Sequence, residues 1–216
     1  MLQTYKVLKA SNLGVAGLAG SFDEVSRVLI EVCRAIYQRG LVSASGGNVS
    51  VRVGGGLFLI TRSGSSFRDL TERDLLVLNS DGVVVEGVGK PSTETPVHLA
   101  LYRVRGDVGS IIHAHPPYST GFAVLGKPVP CVTVQALELL GEVKVVGFEH
   151  PGSDALTRRC VDVFKDVSVR CALLERHGVL VVGRDIWDAY NNLDLLEETA
   201  KIAYLAAALK KHSFEA

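Results

Sequence analysis

Ser110-Ile111-Ile112-His113-Ala114-His115 places two of the chain's six histidines two residues apart at the end of an apolar run. The β-branched pair ahead of them favours a strand, and a strand turns successive side chains to opposite faces. His113 and His115 therefore share a face and can point into one small volume. Two converging imidazoles are a start on a zinc site, which needs three or four nitrogen, oxygen or sulfur ligands. The competing reading is two polar residues on an exposed strand face, and the rest of the chain decides between them.

Working outward, Thr95-Pro96 opens a helix ahead of this strand, with Thr95 as N-cap, Pro96 at the first helical position and an apolar stripe of Val97, Ala100, Leu101 and Val104. Further upstream, Val49 to Val53 alternates as a strand, Gly54-Gly55-Gly56 turns the chain, and Leu57 to Ile60 pairs back. Leu75 to Leu78 and Val83 to Val85 flank a second turn, Asn79-Ser80-Asp81-Gly82. Ser21 and Glu24 form a capping box for a helix that Gly40 stops. Downstream, a short helix runs through Phe122 and Val124 to Gly126, and Cys131–Val134 and Lys144–Phe148 are short strand candidates. Cys171–Leu174 and Val179–Val182 flank Arg176-His177-Gly178, and Asp185 caps a last helix to about Leu209. Strand and helix alternate while hairpins dominate the middle. This predicts an α/β fold with an antiparallel or mixed central sheet and helices on both faces. Residues 1–20 read as an N-terminal arm or short helix, and residues 21–216 as one domain.

Composition narrows the function classes. With 47% hydrophobic and 21% charged residues the chain can bury a substantial core. Lys+Arg and Asp+Glu balance at 23 each, which offers no general attraction to nucleic acid or anionic membrane, so any anion binding must be local. Cys33, Cys131, Cys160 and Cys171 show no metal-binding spacing and read as buried free thiols. No run approaches a membrane span, and a cytoplasmic location is expected.

Three loops stand apart from structural filler: Ser45-Gly46-Gly47-Asn48-Val49-Ser50, Thr61-Arg62-Ser63-Gly64-Ser65-Ser66, and Lys90-Pro91-Ser92-Thr93-Glu94-Thr95-Pro96. Glycines admit close backbone approach to a ligand, hydroxyls add donors, and the third loop leads into a helix N-terminus, where an anion is favoured. Each loop alone also reads as an ordinary turn or cap. His177 stands at a tight turn between apolar strands, where an imidazole costs desolvation unless it has a partner. It would complete three imidazoles with His113 and His115, with Glu94 either a fourth ligand or a base beside the metal. His98 reads as a packing or hydrogen-bonding residue, and His150 and His212 as surface.

In this order, Gly47-Asn48-Val49-Ser50, Ile60-Thr61-Arg62-Ser63-Gly64, Lys90 to His98, His113-Ala114-His115 and His177-Gly178 resemble the class II aldolase/adducin family, on the side of the fuculose-phosphate aldolases. The resemblance runs from about Phe22 to Leu209. It implies a three-layer α/β/α sandwich on a mostly antiparallel central sheet. It implies one Zn2+ per subunit, or another divalent metal, held by His113, His115 and His177, with Glu94 both ligating the resting metal and serving as acid/base. Gly47, Asn48, Ser63, Gly64, Ser92 and Thr93 match the family's substrate-phosphate contacts. The implied activity is that of a metal-dependent lyase of carbohydrate metabolism, which makes or breaks a C–C bond through a metal-stabilised enediolate. Its substrates would be a small phosphorylated ketose, or dihydroxyacetone phosphate and a short aldehyde. The implied assembly is a homotetramer with sites at subunit interfaces. The chain departs from the aldolase pattern at the proton donor to the aldehyde: Val134 stands where a tyrosine is expected, leaving Glu138 and Tyr204 as candidates. The alternatives are a methylthioribulose-1-phosphate dehydratase or pentulose-phosphate epimerase of the same family, or a non-catalytic adducin-like scaffold.

Overall fold

The computed structural model describes residues 14–15, 18–19 and 22–211. Gly14–Val15 and Leu18–Ala19 pair as a short antiparallel ribbon. The rest of the expected N-terminal arm or helix, Ser21 of the capping box, and His212 lie outside the described residues.

Eight strands form one sheet: β1 Asn48–Gly54, β2 Leu57–Thr61, β3 Leu75–Asn79, β4 Val84–Glu86, β5 Ser110–Ala114, β6 Lys144–Val146, β7 Cys171–Leu174 and β8 Gly178–Gly183. Their spatial order is β4-β3-β2-β1-β5-β8-β7-β6. Neighbours run antiparallel except β6 beside β7. The helices are α1 Phe22–Gln38, α2 Thr95–Val104, α3 Pro117–Val124, α4 Val134–Leu139, α5 Asp154–Phe164 and α6 Ile186–Lys211.

Pleating sorts the strand residues into two cores. Val49, Val51, Val53, Ile112, Ala114, Val179 and Val181 meet Leu29, Val32 and Ile36 of α1 and Leu193, Leu196 and Ala200 of α6. Phe58, Ile111, Leu180 and Val182, from the opposite face, meet Val97 and Leu101 of α2 and Leu156, Cys160 and Phe164 of α5. Side chains such as Leu29, Ile36 and Ile111 are fully buried, each contributing about 1.5–3 kcal/mol. The expected three-layer sandwich on a mostly antiparallel sheet is the fold observed.

The local differences have physical reasons. Cys131–Val134 is not a strand: Thr133 caps α4, its Oγ1 accepting the Ala136 N–H at 3.2 Å. A short apolar run carries no decisive period, and the cap prevails. Cys131 is half-exposed, whereas Cys33, Cys160 and Cys171 are buried free thiols. The stripe of α2 also differs. Val104 is exposed, while His98 and Tyr102 turn inward with Val97 and Leu101. The Ser50 hydroxyl meets both, 2.7 Å from His98 Nδ1 and 2.9 Å from the Tyr102 hydroxyl.

Candidate metal centre

The antiparallel register gathers the site at one end of three central strands. His113 near the end of β5 lies opposite Asn48, the first residue of β1, and opposite Leu180 of β8. His177 immediately precedes β8, so pairing β8 to β5 delivers it beside His113 and His115. Arg176, in the left-handed region at φ 59°, makes the tight turn that presents it. Such strain in a bulky residue persists where the surroundings over-determine the turn.

The three imidazoles pack ring to ring, with centroids 4.6 Å apart for His113 and His115, 4.6 Å for His113 and His177, and 5.4 Å for His115 and His177. Their ligating nitrogens all lie within 4.8 Å of one another. His113 Nδ1 donates to the Val179 carbonyl at 2.9 Å, which turns the Nε2 lone pair into the cluster. His115 Nε2 stands 2.9 Å from that atom. Burial pushes the His113, His115 and His177 pKa values down, His177 to about 4, so the rings are neutral and their lone pairs are available.

Glu94 completes the cluster, and its backbone position corrects the capping assignment. The N-cap of α2 is Glu94 and not Thr95, yet its carboxylate makes no capping hydrogen bond. It turns instead toward the imidazoles, with Oε2 3.1 Å from His113 Nε2 and Oε1 3.7 Å from His177 Nδ1. The Asn48 amide donates to Oε2 at 3.4 Å. Only 6% of Glu94 is exposed, and burial raises its carboxyl to about 7 against the opposing Asn48 hydrogen bond.

Glu94 Oε1, Asn48 Oδ1 and His177 Nδ1 are buried and have no hydrogen-bond partner among the described residues. Buried acceptors converging without a donor leave a deficit that a divalent cation fits. His113, His115 and His177 would hold it, with Glu94 in reach. Gly178 keeps the space: a Cβ there would stand 2.5 Å from the Ala114 carbonyl and 2.5 Å from His115 Cδ2. Gly178→Ala should therefore tilt His115 and weaken metal binding about 10–100-fold, as for a lost supporting contact, in a zinc titration against a competing chelator.

A cavity of about 210 Å³ opens on this cluster. Its lining includes Gly47, Asn48, Ser63, Gly64, Ser92 and Thr93 with Glu94, His113, His115 and His177, so the structure brings the three loops and the imidazoles to one place. The lining also holds Ser45, Gly46 and Arg62, which the sequence places in these loops without a role of their own, and Pro151, for which it carries no signal. Glu138 and Tyr204 are not brought to it. Glu138 is exposed on α4, and Tyr204 is exposed on α6, its ring 5.7 Å from that of Tyr118. A larger cleft of about 690 Å³ runs along α1 between Arg27, Arg34, Glu31 and Glu72, but among the described residues it holds no histidine.

A mixed sheet sandwiched by helices, with three neutral imidazoles and a buried carboxylate at the mouth of a small cavity, defines a metal-dependent enzyme. Residues 27–204 match the class II aldolase and adducin N-terminal domain, and the chain belongs to that family. It is 36% identical over 182 residues to a protein of Methanocaldococcus jannaschii named L-fuculose phosphate aldolase, covering 84% of this chain and 97% of that one. A Haemophilus influenzae protein named 3-oxo-tetronate 4-phosphate decarboxylase is 31% identical over 82% of this chain and 85% of its own length. A solved L-fuculose 1-phosphate aldolase superposes with a TM-score of 0.80 at 32% identity, covering 88% of this chain and 89% of that one.

Proposed function

We propose that the protein is a zinc-dependent aldolase that makes or breaks a C–C bond in a small sugar phosphate, joining dihydroxyacetone phosphate and a short aldehyde. The observation that carries this reading is the orientation of Glu94. It leaves its helix uncapped and places its carboxylate against the three imidazoles, in a cavity walled by hydroxyl-and-glycine loops. When bound, the metal supplies Lewis-acid stabilisation of the negative charge that develops on the substrate's carbonyl oxygen.

The remaining work falls to the chain. Ser63, Ser92 and Thr93 hydroxyls and the backbone around Gly47 and Gly64 hold the phosphate, and Asn48 steadies both substrate and Glu94. Glu94, whose carboxyl burial raises to about 7, takes the proton from the carbon beside the carbonyl before the C–C bond forms, and in the cleavage direction gives one back to that carbon after the bond breaks; the proton on the aldehyde-derived oxygen moves through a separate donor. Exposed apolar residues on and before α4, Val132, Val134, Leu137 and Leu139, support the proposed homotetramer. Within it Glu138 or Tyr204 would reach an aldehyde only from a neighbouring subunit. Sedimentation at a monomer's mass would contradict this arrangement.

A sibling reaction on the same site, such as the dehydration of methylthioribulose phosphate, is favoured by one observation: among the described residues no tyrosine lines the cavity. The test is incubation with dihydroxyacetone phosphate and a panel of short aldehydes. A C–C bonded product is expected. No condensation with any aldehyde, alongside turnover of methylthioribulose phosphate, would overturn the aldolase reading in favour of the dehydratase.

A further inference from the structure

We propose that Arg62 recognises the anionic end of the substrate and gives this neutral protein its preference for a phosphorylated ketose; the assignment rests on the sugar-phosphate reading of the cavity. Among the described residues Arg62 is the one lysine or arginine that lines it. Its backbone ties two walls together. The Arg62 N–H donates to the Asp74 carbonyl at 2.7 Å, Arg62 bridges to Pro91, and the following Ser63 N–H donates to the Lys90 carbonyl at 2.9 Å. The residue therefore stands between the Ser63-Gly64 loop and the Ser92-Thr93 loop.

Its side chain is held at two points. Nη2 donates to Asp74 Oδ1 at 2.5 Å, and that carboxylate is itself fixed by the Thr71 N–H at 3.0 Å and the Thr71 hydroxyl at 2.9 Å. Gly89, at φ 134°, lies against the stem so closely that a Cβ would stand 2.3 Å from Arg62 Cδ. Yet Nε is buried and has no acceptor. Asp74 satisfies one edge of the guanidinium and leaves a positioned N–H donor unspent. A buried donor of this kind calls for an acceptor, and a phosphate oxygen supplies one together with charge complementarity. The hydroxyl loops alone offer only neutral donors, whereas a guanidinium adds the positive charge that a dianion requires when the chain carries none in excess.

The test compares binding of dihydroxyacetone phosphate and of unphosphorylated dihydroxyacetone to zinc-loaded protein by calorimetry. Thermal unfolding and metal content are measured in parallel. Arg62→Gln should weaken the phosphate ester roughly 10–100-fold, as expected for a lost hydrogen bond to a charged group, and leave dihydroxyacetone unchanged. Arg62→Lys, which keeps the charge without the fork, should recover part of that loss. Equal weakening of both ligands, or no change in either, would overturn the assignment and leave Arg62 as a structural strap to Asp74. Wild-type protein that binds both ligands alike would overturn it together with the phosphate reading of the cavity. A wild-type preference for the ester that survives Arg62→Gln would overturn the arginine assignment alone.

Discussion

Replacing His113 with alanine should remove stoichiometric divalent-metal binding and reduce turnover on the order of a thousandfold or more. The ring is 2% exposed on β5, between β1 and β8, and its Nε2 faces the other two imidazoles and Glu94. Losing one of three protein ligands leaves a pair that cannot hold zinc in a tetrahedral site. With the metal goes its stabilisation of developing charge, worth several kcal/mol, which is a factor on that order. The substitution also removes the hydrogen bond to the Val179 carbonyl, at a cost of about 0.5–1.5 kcal/mol in folding stability. His115→Ala separates the two effects, because that ring is half-exposed and its only hydrogen-bonding neighbour among the described residues is His113. It should lose metal, measured by atomic emission, while unfolding nearly as wild type. Full metal occupancy in both variants would show that the imidazole cluster is not the metal centre.

Glu94→Gln should have the second largest effect, and a different signature. The amide fills the same volume and keeps an oxygen to accept the Asn48 N–H. The three imidazoles are untouched, so metal should remain bound. The lost property is proton transfer, for which a positioned carboxylate near neutrality contributes about 10²–10⁴-fold. Steady-state assays should show the loss mainly in kcat, with the affinity for dihydroxyacetone phosphate little changed. Wild-type turnover would remove Glu94 from the chemistry and reduce it to a neighbour of the metal.

The centre was partly legible from local rules. Two histidines two apart on a strand must share a face, and no tertiary information is needed to see it. His177 could be suspected from its cost at an apolar turn, but its partners depend on β8 pairing with β5, some sixty residues earlier in the chain. Local spacing does not encode that pairing; the family resemblance implies the three-histidine ligand set without it. Glu94 shows the opposite case. Thr95-Pro96 is a sound local cap signal, and the structure sets it aside because the residue before it takes the N-cap backbone while its side chain serves the cavity. The helix α5 went unread although Ser153 caps it, with its hydroxyl accepting the Leu156 N–H at 3.1 Å. Its apolar positions are spread among charges, and the signal was available in the cap alone. Arg62 stood in its loop without a role, because nothing local shows that the residue lines the cavity or that its Nε is buried without an acceptor.

The most direct measurement of the proposed chemistry needs no aldehyde. Zinc-loaded protein is incubated with dihydroxyacetone phosphate in deuterium oxide, and the ketose is followed by proton NMR. One hydrogen at the hydroxymethyl carbon beside the carbonyl should exchange. That exchange should disappear on chelation and fall by about 10²–10⁴-fold in Glu94→Gln. A metal-replete wild-type protein that binds the ketose phosphate yet exchanges no hydrogen would contradict it.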